Sequence, residues 1–212
     1  RIICSYWLAI CCPLTVHPAE VWCHSTKALE TVEDIKGLKI RLGTTALNSI
    51  FKKMGAAPVF LPGGEIYESA KRGIIDAFEY ITPSLNWGMG FQEIADYMYL
   101  SPSRSPSDAQ SLFVNKKVWD ALSSDLKAIV EMAAKKVSRE FFTEELVLDS
   151  TALEEFKKYG TVVKRQGGRA GVPALEKAEE YYAEECKKDP TYAKIYNSTL
   201  DFRKLCEQFD IK

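Results

Sequence analysis

The chain has 212 residues, 46% of them hydrophobic and 27% charged, with a formal net charge of −1. This composition excludes a disordered chain, because it supplies enough apolar surface for a substantial core in one or two domains. The near-neutral charge removes the electrostatic case for nucleic acid or an anionic membrane as partner, and no run of 18 apolar residues is present to cross a bilayer.

Residues 1–16, RIICSYWLAICCPLTV, hold an apolar run behind one arginine, superficially like the charged start and core of a signal peptide. They lack an initiator methionine and a clear small-residue cleavage site. Cys4, Cys11, Cys12 and Cys23 crowd this end while Cys186 and Cys206 lie far downstream, which is not the density of a disulfide scaffold. The first four with His17 and His24 show no CxxC spacing, so zinc is disfavoured.

Residues 38–81 carry the strongest pattern, reading as strand, helix, strand, helix, strand. Residues 38–42 form the first strand. Gly43-Thr44-Thr45 then opens a helix whose Ala46, Leu47, Ile50, Phe51 and Met54 keep helical spacing until Gly55. Residues 57–61 make a short strand, with Pro58 toward its start because proline donates no ladder hydrogen bond. A second helix follows Pro62-Gly63-Gly64, turns Ile66, Tyr67 and Ala70 inward and stops at Gly73. Residues 75–81 close the pattern as a third strand.

Strands and helices alternating at this length form right-handed parallel crossovers, and ligands of open parallel sheets sit beyond the carboxyl ends of the strands. Arg41 and the pair Glu79-Tyr80 fall at such ends. The helix starting near Thr44 adds unpaired N–H groups and a partial positive charge, which favour a carboxylate or phosphate that arginine can grip with two parallel hydrogen bonds. Two readings stand here: an anion held by Arg41, or an internal Arg41–Glu79 salt bridge.

Farther on, Trp87 and Phe91 read as apolar walls of a pocket or as core, and Asn115 as a cap or hinge. From residue 124 to 159 apolar positions keep helical spacing, with Ser123 or Ser124 as cap and Gly160 as stop. A continuous helix of that length is about 54 Å long, against roughly 30 Å for a small domain, so it either breaks near Asp149-Ser150 or lies along two lobes. Phe141 and Phe142 read as packing within its stripe. Residues 161–165 form a short strand and Gly167-Gly168 a turn. Pro173 sits in the first turn of a further helix, and residues 191 to the end form the last. The lysine pairs scattered along the chain read as solvated helix faces.

Three ordered blocks, TVEDIKGLKIR, GGEIYESAKRGIIDAFEY and SLFVNKKVWDALSSDLKAIVEMAAKK, resemble the DctP-type solute-binding receptors of tripartite ATP-independent periplasmic (TRAP) transporters over residues 18–205. The resemblance implies an α/β, periplasmic-binding-protein-like fold of two lobes with a long bridging helix. It implies a periplasmic receptor that closes around an organic acid and delivers it to membrane permease subunits, with no span of its own. Arg41 matches the arginine that binds the ligand carboxylate, and Glu79 and Tyr80 match the pair lining the pocket. Trp87 belongs to the expected pocket wall. A metal ion held at Glu79 alongside the ligand is a further implication, with no other cofactor. Arg104, in SPSRSPSDAQ, is a basic departure in a region expected near the ligand; facing the cleft it favours a second carboxylate, and otherwise it is a solvated loop arginine.

The matching sequence starts where a typical receptor is already well advanced, so the expectation is an incomplete first lobe. The corresponding division is a non-family-like segment 1–17, a ligand-binding lobe 18–88, a crossover into the remnant of the other lobe 89–122, the bridging helix 123–160 and a C-terminal strand and helices 161–212. The rival class is a small enzyme acting on a carboxylate substrate. Its case is thin: both histidines lie in the first 24 residues, GxSxG and HExxH do not occur, and no second acid or base accompanies Glu79. A third reading is an adaptor module presenting the long helix.

Overall fold

The computed structural model describes residues 9–101, 104–165 and 171–208. In chain order it contains β1 (Ala9–His17), β2 (Val21–Ser25), β3 (Lys39–Arg41), α1 (Thr45–Lys53), β4 (Ala57–Val59), α2 (Ile66–Lys71), β5 (Ala77–Phe78) and α3 (Pro83–Gly88). Then come β6 (Tyr97–Leu100), β7 (Asp108–Asn115), α4 (Lys116–Ala121), α5 (Ser124–Tyr159), β8 (Val162–Arg165), α6 (Gly171–Lys188) and α7 (Pro190–Glu207).

Two sheets result. Six strands form one in the order β4-β3-β5-β2-β6-β8, and β1 pairs with β7 in a second, two-stranded sheet. In the larger sheet β3 runs parallel to both β4 and β5, as alternating strands and helices require, and β6 runs parallel to β8. β2 is inserted antiparallel between β5 and β6. Its five residues are all buried, because both faces of the sheet are covered. On one side Trp22, Ile40, Leu42, Ile50, Phe51 and Tyr99 pack together with α1, and α6 closes over them through Ala174, Ala178 and Tyr181. On the other, Ile66, Phe78 and Phe91 form one cluster and Val21, Met98 and Phe156 another.

The local signals act as expected. Thr44 caps α1 by accepting a hydrogen bond from Leu47 N, and Asn115 is a cap, accepting from Lys117 N and Val118 N at the start of α4. Pro58 lies in the middle of β4 rather than at its start, which an edge strand tolerates because one side of its backbone needs no partner. The third strand of the pattern is shorter than residues 75–81, a strand at Ala77 and Phe78 flanked by backbone bonds from Asp76 N to Lys39 O and from Glu79 N to Arg41 O.

α5 is one continuous helix of 36 residues ended by left-handed Gly160, with no break at Asp149-Ser150. Its buried positions Ala134, Glu145, Asp149, Ala152 and Phe156 share one stripe at helical spacing. Near its middle Phe141 meets His17 of β1 edge-on at 4.8 Å, and near its end Phe156 is fully buried against the larger sheet. These two positions are about 22 Å apart along the axis, so one helix spans both sheets. The apolar stripe read from the sequence is only partly covered, with Leu126, Ile129 and Val137 exposed. The signal-like apolar run meets a different outcome over residues 9–17: it is a strand in register with β7 from Ala9↔Asn115 to His17↔Asp108. Cys4 and the turn at Gly167-Gly168 lie outside the described residues. Among the described residues no helix is long and apolar enough to cross a membrane.

Candidate functional site

Because β2 runs against its neighbours, its beginning lies at the same sheet edge as the ends of β3, β5 and β6. That edge brings together Arg41 and Gly43 from β3 and its turn, Glu79 and Tyr80 from beyond β5, Glu20 from before β2, and Arg104 from beyond β6. They line a cleft of about 410 Å³, joined by Thr44, Ala46 and Leu47 at the start of α1, by Asp108 and by Tyr182 of α6.

Arg41, 7% exposed, is fixed on one side of its guanidinium. Its Nε donates to Leu61 O at 3.0 Å, and its Nη1 donates to Glu79 O at 2.7 Å and Glu79 Oε1 at 3.0 Å. The salt bridge is therefore real, yet Nη2 has no partner among the described residues; Arg41 lines the cleft, and Nη2 is 3.2 Å from where a Cβ at Gly43 would stand. Glycine at 43 keeps that approach open, and its N–H donates to Glu79 Oε1 at 2.6 Å. Tyr80 places its ring 5.9 Å beneath the Arg41 guanidinium, a cation–π distance, and packs edge-on against Phe91 at 5.7 Å. A side chain at Gly63 would come within 2.6 Å of that ring, so the glycine is what lets Tyr80 lie there.

Arg104 faces the cleft. Its Nη1 donates to Glu79 Oε2 at 2.8 Å, and its Nη2 donates to Val21 O at 2.7 Å and pairs with Glu20 Oε2 at 2.6 Å. The reading as a solvated loop arginine is corrected by its 7% side-chain exposure. Burial raises the Glu20 carboxyl above its ordinary value, against the opposing pull of the Arg104 guanidinium. Glu20 is the residue that sequence reasoning missed. The signal was its place directly before a strand, but only the antiparallel direction of β2 reveals which sheet edge that start occupies.

Other expected positions lie elsewhere. Trp87 is not part of the cleft: α3 turns its ring edge-on against Phe156 at 5.1 Å and Tyr159 at 6.3 Å, so it is packing between α3 and α5. Phe91 is fully buried core beneath Tyr80. Tyr67 donates its hydroxyl to Glu93 Oε2 at 2.6 Å. As for a metal at Glu79, one of its oxygens accepts from Arg41 and Gly43 and the other from Arg104, so the donors a cation would use are engaged by two guanidiniums. The residues present do not fit a resident metal ion at that carboxylate.

A second cavity of about 570 Å³ shares Glu20 with the cleft and runs along the seam of α3 and α5, lined by Pro83, Leu100, Leu146 and Leu153 among others. Beside it the buried carboxylates of α5 are held by the start of α3. Glu145 accepts from Thr82 Oγ1 at 2.8 Å and Ser84 Oγ at 2.5 Å, and Asp149 accepts from Ser84 N at 2.9 Å. Burial outweighs those bonds at Asp149 and raises its carboxyl above the usual range. This seam concerns packing; the two guanidiniums lie in the smaller cleft.

The sequence pattern of the family described as bacterial extracellular solute-binding protein, family 7 (DctP), matches residues 20–189. The chain belongs to this family. A relative, the monocarboxylate 2-oxoacid-binding periplasmic protein of Nostoc, is 26% identical over 178 residues, covering 84% of this chain and 49% of that protein. A TRAP periplasmic solute-binding protein from Colwellia psychrerythraea with bound calcium and pyruvate superposes with a TM-score of 0.89 at 28% identity, covering 98% of this chain and 63% of that one. One from Pseudoalteromonas atlantica with bound sodium and pyruvate gives 0.87 at 27%, with the same coverages. The DctP-family fold, two lobes in these TRAP receptors, is thus the fold of this chain. The chain spans about half the length of the Nostoc relative and under two thirds of the two structures.

Proposed function

We propose that this chain belongs to the extracytoplasmic solute-binding subunit of a TRAP transporter, capturing an organic acid in the Arg41 cleft and handing it to the membrane permease. The observation that carries the reading is the half-engaged guanidinium of Arg41: oriented by Leu61 O and Glu79, it offers Nη2 to a cleft roofed by the start of α1. A carboxylate there meets an oriented charge-assisted donor and the partial positive charge of the helix start. The relatives named for 2-oxoacids and those holding pyruvate support a carboxylate as the ligand class. The same kinship supports a periplasmic placement.

Binding rather than turnover suits the geometry. Of the carboxylates at the centre of the site, Glu79 has both oxygens accepting hydrogen bonds from Arg41, Gly43 and Arg104 and Glu20 is paired with Arg104, so neither is placed to take a proton from a ligand. Closure of the lobes over the ligand would then present the permease with a shape the empty receptor seldom adopts.

Calorimetry with pyruvate and a panel of mono- and dicarboxylates tests the proposal. Arg41→Ala is expected to weaken the best ligand by at least about 100-fold, in line with loss of a charge-assisted pair of about 3 kcal/mol, and Arg41→Lys by about tenfold. Affinity retained in Arg41→Ala removes this residue from the role.

A further inference from the structure

The contacts of Arg104 form an oxygen cage around a positive charge. A Glu79 carboxylate oxygen, a Glu20 carboxylate oxygen and the Val21 carbonyl converge on its two terminal nitrogens at 2.8, 2.6 and 2.7 Å. The three side chains are nearly sealed from solvent, at 7% exposure for Arg104, 6% for Glu79 and 11% for Glu20. Carboxylates with a backbone carbonyl are the donor set that calcium takes. Here a side chain of the protein itself fills it.

Charge strengthens the point. Glu20, Glu79 and Asp108 bring three negative charges to the cleft and Arg41 with Arg104 two positive ones. Without Arg104 an arriving carboxylate would face two excess negative charges, a deficit that one divalent ion would cancel. Arg104 cancels half of it and adds directional donors. Its Nε is buried with no partner among the described residues, leaving a donor unspent beside the cleft.

We propose that the Arg104 guanidinium occupies the place of a cation against Glu79 and Glu20, so that this protein binds its organic acid without a metal ion. The inference rests on the carboxylate-binding reading of the cleft and sets this chain apart from the Colwellia and Pseudoalteromonas structures, which hold calcium or sodium together with pyruvate. A guanidinium cannot be chelated away, so capture becomes independent of the calcium level outside the cell.

Two arms test it on the whole chain. In the first, chelated protein is titrated with calcium chloride alone, reading melting temperature and heat. The wild type is expected to shift by less than 1 °C, whereas Arg104→Met, which keeps the aliphatic stem and frees the two carboxylates, gains calcium binding that Glu20→Gln in the same background abolishes. In the second, pyruvate affinity is measured with chelator and with calcium. The wild type is expected to agree within twofold, and Arg104→Met to lose at least tenfold in chelator and recover in calcium. A wild-type affinity that falls tenfold on chelation, or calcium binding by the wild type that Glu20→Gln removes, overturns the proposal. Should no carboxylate bind under any condition, the ligand reading fails by itself and the calcium arm still decides whether Arg104 fills a cation site. Should Arg104→Met not fold, the wild-type titration decides.

Discussion

His24 is a titratable side chain enclosed by aromatic rings: Phe78 stacks on it at 5.2 Å, with Phe91 and Phe156 each at 5.6 Å. Its Nε2 sits 3.0 Å from Asn86 Nδ2, and burial pushes its pKa down to about 3. A depressed histidine is neutral in the fold and charges freely when unfolded. Its contribution to stability is complete above about pH 6.5 and is lost as pH falls toward 3. At pH 5 the loss relative to pH 7.5 should reach about 2 kcal/mol. Urea unfolding of His24→Phe at both pH values is expected to lack that component; an unchanged difference would show that the ring is charged or exposed. Asp149, whose carboxyl is raised, works in the opposite direction, losing its contribution as pH rises, so the comparison is made variant against wild type. At this scale the placing of Arg41, Glu79 and Tyr80 at strand ends was legible because the alternation of short apolar runs with helical spacing marks where each strand stops. Trp87 was not, because a helix of six residues gives no statistical face, and which way its ring turns is decided by Phe156, far away in the chain.

Among the elements, the long helix shows both what periodicity gives and what it withholds. Spacing alone left open whether it breaks near Asp149-Ser150, whereas its start at Ser123 or Ser124 and its end at Gly160 were readable. Its buried carboxylates were not, because Glu145 and Asp149 look like solvent-facing charges until the start of α3 is placed against them. Glu145, 5% exposed, satisfies the hydroxyls of Thr82 and Ser84. Glu145→Ala should destabilise the fold by about 2 kcal/mol, since Thr82 and Ser84 are left at a buried seam without their acceptor. Denaturant midpoints measure it, and a change under about 0.5 kcal/mol would mean that water takes over the role. The same periodicity treated Leu126 and Ile129 as inward, whereas 46% and 56% of their surface remains open. Spacing reports that a stripe exists, not that something covers it.

For the whole molecule, the direction of β2 was the hidden variable. Sequence patterning gave a parallel β3-β4-β5 unit, but an antiparallel insertion leaves no mark in a strand buried on both faces, and with it went Glu20 and the full membership of the cleft. The bridge between the two sheets makes a separate prediction. Leu148→Pro, between Phe141 and Phe156 in α5, should cost about 3 kcal/mol and uncouple the β1–β7 sheet from the larger one, seen as two transitions in calorimetry instead of one. A single sharpened transition would show that the helix is not what joins them.

Arg104 and Val21 meet across 83 positions of sequence, and Arg41 and Glu79 across 38. Recognition of this kind cannot be carried by a peptide or a loop graft, because no short stretch holds more than one corner of it. Its geometry exists only after distant segments have been zipped together, so capture of the proposed ligand would double as a certificate that folding has finished. The site would be lost at the first partial opening of the sheet edge, well before the remainder of the molecule came apart.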